Sequence, residues 1–445
     1  MNELEQNNLE LFTIEGHKLH LFRTGNVKKP KLIFMSGSGT VAPLYDFKIL
    51  YEKLIEDFRI IVIEKFGYGY SDLFEASCEI DYVIERQRNV LQEAGEKGPY
   101  ILVPHSLSGL EAIRWKQKYP DEIKAIIGLD MATPKTYLSW KSDEIDRRIS
   151  VIKKMKKAKD KGLLFWLPLN KRGLNKEEIK EQKILWKKNA FNECYIKEAE
   201  AVLKNAEKVA VAGKIECPVL MFVSNGKQVS PNWLEHEKEF AEQCNAKLIN
   251  LNCGHYVHYY ESDLISKEIR GFVNIKYRQV RKEDGYEWYT LLDEVWQATY
   301  SHIFPKEVFD GRDYAREERA RNFTEEKFIG ERKIAYVAEC EGKIVGLMFG
   351  TLDSDYEHFK NDYADLTALY VYPEYQGTGI GTKLRDIFVE WAKSKNADKY
   401  VIGVLKDNAR ARKVYESWGG KLSEYEHDFV VMNVGYPENF YTFEI

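Results

Sequence analysis

The sequence predicts an α/β protein built from two units, and three observations support this prediction. Short apolar runs alternate with helical segments over the first 275 residues, which is typical of a mostly parallel sheet. Lysine-rich helical segments interrupt this alternation at about 133–213, as expected for a helical lid over the sheet. From about residue 276 the pattern changes to hairpin strands and a glycine-rich turn into a helix, which indicates an α+β unit. We therefore expect units at 1–275 and 276–445.

The composition is that of a globular protein. Its 445 residues exceed what one core usually holds, and the net charge of −4 gives no reason to expect a nucleic-acid partner. No apolar run reaches the ~18 to 20 residues of a membrane span, and the first residues lack a signal-peptide pattern. The six cysteines show no metal-type spacing. We therefore expect a cytoplasmic protein with free thiols, no metal and no membrane partner.

The strands of the first unit follow from short apolar runs bounded by turn residues. Two amphipathic strands, Leu9–Ile14 and Lys18–Arg23, are expected to precede the buried ones. Because parallel strands end at the same edge of a sheet, polar residues that follow the buried runs are expected to meet there. The buried runs are Lys31–Met35, Arg59–Ile63, Tyr100–Val103, Ala125–Leu129, Pro218–Val223 and Lys247–Leu251.

Ser106 falls where one of these buried runs passes directly into a helical pattern. A sharp strand-to-helix turn projects a hydroxyl above the sheet, and it needs small residues beside it, which Ser108 and Gly109 supply. Pro104 stands where such turns usually have their first glycine. The spacing predicts a nucleophile at Ser106; an ordinary loop serine is the competing interpretation.

Four motifs follow one another in a characteristic order: Ser36-Gly37-Ser38-Gly39, then Phe66-Gly67-Tyr68-Gly69-Tyr70-Ser71, then His105-Ser106, then Gly254-His255. In this order they resemble the α/β-hydrolase family over about residues 8–275. The resemblance implies an α/β-hydrolase fold that cleaves an ester or an amide. It implies Ser106 as nucleophile, His255 as its general base, and the backbone N–H groups of Ser38 and Leu107 as the oxyanion hole.

The acid of the triad is where the sequence departs from that family. Relatives usually carry an aspartate just after the Pro-Val-Leu strand, but residues 224–229 contain no carboxylate. Some relatives place the acid after the preceding strand, where Asp130 stands. We predict a Ser106, His255, Asp130 triad, with a structural loop carboxylate as the competing interpretation of Asp130. Without a carboxylate at His255, this unit would be a weak hydrolase or a substrate-binding module.

The second unit is expected to contain a strand from Tyr277, a helix from Glu287 to Tyr300, and the hairpin strands Ile334–Cys340 and Lys343–Thr351. A strand at Asp365–Val371 then leads into a glycine-rich loop and a helix. Such a loop presents backbone N–H groups and the positive end of the helix dipole to a phosphate. A dinucleotide-binding fold is the alternative, but the G-x-G-x-G spacing and the short remaining chain argue against it.

The run Gln376-Gly377-Thr378-Gly379-Ile380-Gly381 resembles the signature of the GNAT N-acetyltransferases, and Asn408–Gly419 resembles their second landmark. The resemblance spans about residues 276–445 and implies acetyl-CoA as co-substrate and a small amine as acceptor.

Carried onto this sequence, the GNAT resemblance implies that Gln376, Gly377, Thr378, Gly379, Ile380 and Gly381 hold the pyrophosphate. Leu369 and Val371 would offer backbone groups to the cofactor arm, which Asn408 would also contact. Tyr415 would protonate the leaving thiolate. The alternative is that Tyr415 is a buried tyrosine that only packs in the core. The general base stays open between Glu339, Asp365 and a water chain. We expect a bifunctional enzyme, whose two halves act on one compound, for detoxification or self-resistance, or act independently.

Overall fold

The structure is a computed structural model that describes residues 9–164, 169–230, 232–340 and 342–445. Contacts between residues divide the chain into two units, 1–270 and 271–445. The sequence predicts the boundary a few residues later, between 275 and 276. Among the described residues, no helix combines the length and the apolar character that crossing a bilayer requires.

The first unit contains an eight-stranded sheet whose strands lie in the order β1-β2-β4-β3-β5-β6-β7-β8. The strand β2 runs antiparallel to β1 and β4, and all other neighbours are parallel. This order, with a lid inserted between β6 and β7, is the α/β-hydrolase fold. The strands are β1 Leu11–Ile14, β2 His17–Thr24, β3 Lys31–Met35, β4 Arg59–Glu64, β5 Tyr100–Ser106, β6 Ile123–Met131, β7 Val219–Val223 and β8 Lys247–Asn250.

Helices cover both faces of this sheet, which explains why the central strands are continuous apolar runs. Leu32, Ile33 and Phe34 of β3 are fully buried, for example. The helices are α1 Pro43–Asp46, α2 Lys48–Tyr51, α3 Ile80–Glu93, α4 Ser108–Lys118, α5 Pro134–Leu138, α6 Ser142–Asp160, α7 Lys176–Asn189, α8 Glu193–Val211, α9 Trp233–Gln243, α10 Val257–Tyr260 and α11 Ser262–Val273, with a 3-10 turn at Pro120–Glu122.

The predicted lid corresponds to helices α5 to α8. Helix α7 begins with a capping box, in which Asn175 and Glu178 bond to each other's backbone N–H groups. The sequence also predicts a helix at Leu164–Leu169, and residues 165–168 of it lie outside the described residues.

The second unit contains a sheet in the order β14-β16-β13-β12-β11-β10-β9, with β15 paired to β16. All neighbours are antiparallel except β12 and β13. The strands are β9 Lys276–Gln279, β10 Lys333–Cys340, β11 Lys343–Thr351, β12 Ala364–Val371, β13 Lys399–Leu405, β14 Lys421–Leu422, β15 His427–Val431 and β16 Val434–Glu444.

Helices α12 and α15 of the second unit pack against the apolar core of this sheet, where Trp288, Leu384 and Phe388 are buried. Helix α13 is not among the predicted helices, because its sequence is mostly polar and shows no clear apolar face. The helices are α12 Gly285–Tyr300, α13 Lys306–Arg321, α14 Glu325–Phe328, α15 Ile380–Ser394 and α16 Ala409–Ser417, with 3-10 turns at Lys282–Asp284 and Pro373–Tyr375.

Candidate active sites

Ser106 lies at the last position of β5, in the left-handed backbone region with φ of +54°. Residues other than glycine rarely adopt this backbone conformation, so the turn is strained. The turn places the serine at the edge of the sheet. The close packing around it requires glycine. A Cβ atom on Gly37 would lie 2.7 Å from the Ser106 Cβ, and one on Gly109 would lie 2.2 Å from the Ala132 carbonyl oxygen.

Asp130 and His255 are joined by a short hydrogen bond of 2.5 Å between Asp130 Oδ2 and His255 Nδ1. Asp130 is fully buried at the end of β6. Its other oxygen, Oδ1, accepts hydrogen bonds from Ser224 N at 2.7 Å and from Trp233 Nε1 at 2.8 Å. Three donors therefore surround this carboxylate, and one of them belongs to Ser224, close to where the hydrolase family usually carries its acid.

The loop before His255 holds the imidazole in place. The backbone N–H of His255 donates to Gln228 Oε1 at 3.1 Å, and a Cβ atom on Gly254 would lie only 2.6 Å from that oxygen. The indole ring of Trp233 meets the imidazole edge-on, with 5.7 Å between ring centroids. Neither Gln228 nor Trp233 lies in a sequence motif that would predict its role.

Ser106 and His255 line one cavity of about 490 Å³ beneath the lid. The two residues predicted as the oxyanion hole, Ser38 and Leu107, line it as well. Their backbone N–H groups donate no hydrogen bond to any residue that the structure describes, and unpaired amides are what a developing oxyanion requires. The lid contributes mainly apolar walls, namely Tyr137, Trp140, Ile145, Val151, Ile152 and Val202.

Glu198 of helix α8 is a charged residue on the cavity wall that the sequence analysis missed. It accepts hydrogen bonds from Lys65 Nζ at 2.7 Å and from Tyr68 Oη at 2.8 Å. Tyr68 Oη in turn accepts a hydrogen bond from the N–H of Gly39 at 3.2 Å. Tyr68 therefore links the loop at Ser36-Gly37-Ser38-Gly39 to Glu198 of the lid. Burial opposes the charge of Lys65, but the carboxylates of Glu111 and Glu198 outweigh it and raise the pKa of that ammonium.

A second carboxyl group, that of Glu237 on α9, lies buried near Asp130. It is fully buried, and neither of its oxygens hydrogen-bonds to a described residue. Burial, and then the negative charge of Asp130, raise the pKa of Glu237 well above its usual range. Burial therefore favours the neutral form of Glu237, and Asp130 is the carboxyl group in hydrogen-bond contact with His255.

In the second unit, the strands β12 and β13 leave a gap between them. They pair at two positions among the described residues, and the last of these joins Asp365 to Val401. On its other side β12 stays paired with β11, to which Tyr372 donates its N–H. The backbone N–H and C=O groups of successive residues in a strand point to opposite sides. Because the N–H of Tyr372 points toward β11, the backbone groups of Leu369 and Val371 point toward the gap. These are the two residues predicted to offer backbone groups to a ligand.

The glycine-rich loop joins β12 to the start of α15. Gly377 and Gly379 adopt φ of +79° and +84°, where a side chain would be strained. The backbone N–H groups of residues 377–381 donate no hydrogen bond to any described residue. The side-chain amide of Gln376 donates to the Val371 carbonyl oxygen at 2.9 Å and braces the loop, and its role in holding a pyrophosphate stays a prediction. The loop as a whole is a nest of amides that suits a phosphate.

Asn408 lies directly before the first residue of helix α16, and Tyr415 lies within this helix. The Asn408 side chain accepts the N–H of Ala411 at 3.1 Å, which caps this helix, and its amide donates to Tyr300 Oη at 3.3 Å. Tyr415 is 8% exposed. Burial, and then its tyrosine neighbours, raise the pKa of Tyr415, so its phenol keeps its proton over the physiological range.

The two candidate bases of this unit have different surroundings. Glu339 forms an ion pair with Arg278, with 2.8 Å between Arg278 Nε and Glu339 Oε2. Asp365 lies at the apex of the gap, 5% exposed, and accepts a hydrogen bond from Ser354 Oγ at 2.7 Å. Burial raises the pKa of Asp365 to about 6. A carboxylate with this pKa is ionised at neutral pH yet is a stronger base than an exposed aspartate.

The chain is similar to several known proteins. Residues 288–419 match the acetyltransferase (GNAT) family. An uncharacterized N-acetyltransferase of Archaeoglobus fulgidus is 29% identical over 106 residues, which are 23% of this chain and 71% of that protein. Among solved structures, haloalkane dehalogenase DbeA from Bradyrhizobium elkani aligns with 60% of this chain and 97% of its own, at 17% identity and a TM-score of 0.49.

The uncharacterized protein YbdG of Bacillus subtilis is 34% identical over 269 residues, covering 57% of this chain and 82% of that protein. That identity over most of the relative's length shows a common family. The chain therefore belongs to the family of YbdG, and it joins an α/β-hydrolase fold to a GNAT acetyltransferase domain.

Proposed function

We propose that this chain is a two-domain enzyme, a serine hydrolase of an ester or amide joined to an acetyl-CoA-dependent N-acetyltransferase of a small amine. The hydrogen bond between Asp130 and His255, in the same cavity as the strained Ser106, carries the first half of the proposal. The amide nest at residues 377–381 carries the second. Cys78, Cys194, Cys217, Cys244 and Cys253 form no disulfide bond, which supports a reducing cytoplasmic setting.

In the hydrolase half, a serine hydroxyl attacks a carbonyl only if a base takes its proton. His255 is the base in this proposal, and the negative charge of Asp130 stabilises the imidazolium that forms. The N–H groups of Ser38 and Leu107 stabilise the negative oxygen of the tetrahedral intermediate. When this intermediate collapses, the ester or amide bond breaks and the imidazolium gives its proton to the leaving alcohol or amine, which leaves the acyl group on Ser106. The same imidazole then takes a proton from water, which attacks the acyl-serine and releases the acid.

One observation favours a second candidate function for the first unit. Ser106 Oγ forms no hydrogen bond with His255 or with any other described residue, so the nucleophile and base are not yet engaged. Such contacts often tighten only when a substrate binds. If they do not tighten here, the first unit binds a compound without cleaving it and serves the acetyltransferase as a substrate-binding module.

Labelling with a fluorophosphonate probe separates these two functions, because only an activated serine reacts with it. We expect the full-length chain to be labelled once, at Ser106, and the Ser106→Ala chain to be unlabelled. Labelling of neither protein, while both retain the same melting temperature, would leave the binding module as the function of this unit.

In the acetyltransferase half, the residues present fit acetyl-CoA, which supplies an acetyl group as a thioester. The unpaired N–H groups of residues 377–381 would hold its pyrophosphate, and the backbone of Leu369 and Val371 would hold its arm in the gap. Tyr415 keeps a proton on its phenol oxygen and would donate it to a leaving thiolate. Asp365 would accept the proton of the amine, directly or through water.

Release of free thiol from acetyl-CoA, followed with a panel of small amines, tests this half. We expect at least one primary amine to give thiol release above the rate of acetyl-CoA alone. No release with any amine, together with no heat of acetyl-CoA binding by calorimetry, would remove the acetyltransferase from the proposal.

The rate of acetyl transfer is expected to depend on pH through the ionisation of the Asp365 carboxyl group. A base must be ionised to accept a proton, so the rate should rise with pH through about 6, the pKa to which burial raises this carboxyl. The Asp365→Asn chain should lack this rise and should be slower at neutral pH by about 100-fold or more. Thiol release with the best amine, measured from pH 5 to 8, is the test.

Asp362→Asn is the matched control, because Asp362 is an exposed aspartate on the same stretch of chain. Its profile should match that of the unchanged chain. Deprotonation of the amine itself affects all three proteins alike, so an unchanged profile in Asp365→Asn would exclude Asp365 as the base.

A further inference from the structure

His105 comes directly before the proposed nucleophile, yet the proposed mechanism gives it no role. Its side chain is 1% exposed, and within the described chain it is not part of the wall of the Ser106 cavity. Burial, and then the positive charge that His255 and His258 carry when protonated, lower the pKa of His105 well below its usual range. Burial therefore favours the neutral ring, which carries a proton on one of its two nitrogens.

Nε2 is the nitrogen of His105 that carries this proton. It lies 3.3 Å from the backbone carbonyl oxygen of His255, which can only accept a hydrogen bond, so Nε2 is the donor. Nδ1 is left without a proton, and it has no hydrogen-bond partner among the described residues. The rings of His105 and His255 also lie against each other, with 4.7 Å between their centroids. His105 therefore contacts both the main chain and the ring of the proposed base.

His105 also packs against the loop that carries the predicted oxyanion donor Ser38. A Cβ atom on Gly37, the residue before Ser38, would lie 3.1 Å from His105 Nδ1 and 3.0 Å from the His105 carbonyl oxygen. The absence of a side chain at Gly37 therefore lets the imidazole and the loop approach each other closely. One residue thus lies against the oxyanion loop, hydrogen-bonds to His255 and is joined to Ser106 by a peptide bond.

The backbone of His255 is hydrogen-bonded on both sides. Its N–H donates to Gln228 Oε1 at 3.1 Å, and its carbonyl oxygen accepts from His105. These two bonds fix the main chain from which the imidazole projects into the Ser106 cavity, while Asp130 fixes the ring itself. Such placement matters for the rate, because displacing a reacting group by about 1 Å can cost about 100-fold.

We propose that His105 is a positioning residue of the hydrolase, and that its Nε2–H holds the main chain of His255 beside Ser106 and the Ser38 loop. The inference rests on the proposed function of the first unit. Without this donor, the main chain of His255 can move relative to the nucleophile, and the base is then aligned with the serine proton for less of the time.

Two amide substitutions in the full-length chain, His105→Gln and His105→Asn, separate this hydrogen bond from the rest of the side chain. The amide nitrogen of glutamine is as many bonds from Cα as Nε2 of histidine, so it can donate to the same carbonyl. That of asparagine corresponds to Nδ1 and cannot reach the carbonyl. We expect the maximal rate of fluorophosphonate labelling at Ser106 to fall by less than about threefold in His105→Gln and by about tenfold or more in His105→Asn.

The His105→Phe chain keeps a buried ring but has no N–H group, and we expect it to be slowed as much as His105→Asn. If packing were the whole role of His105, phenylalanine would be the mildest of the three substitutions, and the two amides would be slowed equally. Either of these results would overturn the proposal. The melting temperature of each chain establishes that it is folded, and the comparison with His105→Gln needs only one of the two slowed chains.

The probe concentration that gives half-maximal labelling separates positioning from probe binding. It should be the same in all four chains, because the described wall of the Ser106 cavity does not include His105. A higher concentration in His105→Asn with an unchanged maximal rate would show that His105 shapes the cavity instead, and would overturn the proposal. Equal labelling of all four chains would overturn this inference alone, whereas no labelling of the unchanged chain would overturn the hydrolase function together with it.

Discussion

Replacing Asp130 with asparagine is expected to slow fluorophosphonate labelling of Ser106 by about 10³- to 10⁴-fold. Asparagine keeps the size of the side chain but has no charge to stabilise an imidazolium. It also has one oxygen where aspartate has two, so it cannot accept the N–H groups of Ser224 and Trp233, as Oδ1 does, and also accept the Nδ1–H of His255, as Oδ2 does. The second-order rate constant of labelling measures the effect.

The matched control is Asp121→Asn, since Asp121 is exposed on a 3-10 turn of the same unit. Its labelling rate should equal that of the unchanged chain. Labelling of Asp130→Asn at the unchanged rate would show that Ser106 reacts without this carboxylate. Because Glu237 is a buried carboxyl group near Asp130, the double substitution Asp130→Asn, Glu237→Gln then tests whether Glu237 substitutes for it.

Replacing Gly379 with valine is expected to weaken acetyl-CoA binding at least 100-fold, or about 2.7 kcal/mol. Gly379 stands before the first residue of α15 with φ of +84°, a conformation that a β-branched residue cannot adopt without strain. The loop would have to change its backbone, and the N–H groups of residues 377–381 would no longer converge on one phosphate. Calorimetric titration with acetyl-CoA measures the loss.

Gly342→Val provides a control of equal backbone strain. Gly342 also has φ of +84°, and it lies at the hairpin turn between β10 and β11, where a Cβ atom would meet nothing within 4 Å. Both chains should lose similar stability, but only Gly379→Val should lose acetyl-CoA binding. Equal affinities in the two variants would show that the loop does not hold the pyrophosphate.

Much of the first unit could be predicted because its buried strands are short apolar runs bounded by turns. The positions of β3 to β8 and of the lid follow from this pattern, and Ser106 follows from the abrupt change to a helical pattern. The surroundings of Asp130 could not be predicted in the same way. Ser224 and Trp233 lie about a hundred residues from Asp130 along the chain, and no sequence spacing brings their N–H groups to one oxygen.

The second unit was predicted less completely. The glycine-rich loop and its neighbouring strand have a specific spacing, so the amide nest could be predicted. Helix α13 could not, because its residues are mostly charged and Phe309 is its one buried side chain among the described residues. The hydrogen bond from the Gln376 side chain to the Val371 carbonyl could not be predicted either, since it depends on how the loop folds back.

The sequence by itself determined the two classes of unit, their order and the positions of Ser106, His255 and the loop at 376–381, because each depends on local periodicity or on glycines at fixed spacing. Only the tertiary structure decided which carboxylate reaches His255 and which N–H groups stay unpaired. Those properties depend on residues far apart in the chain, whose approach is set by the packing of the whole sheet.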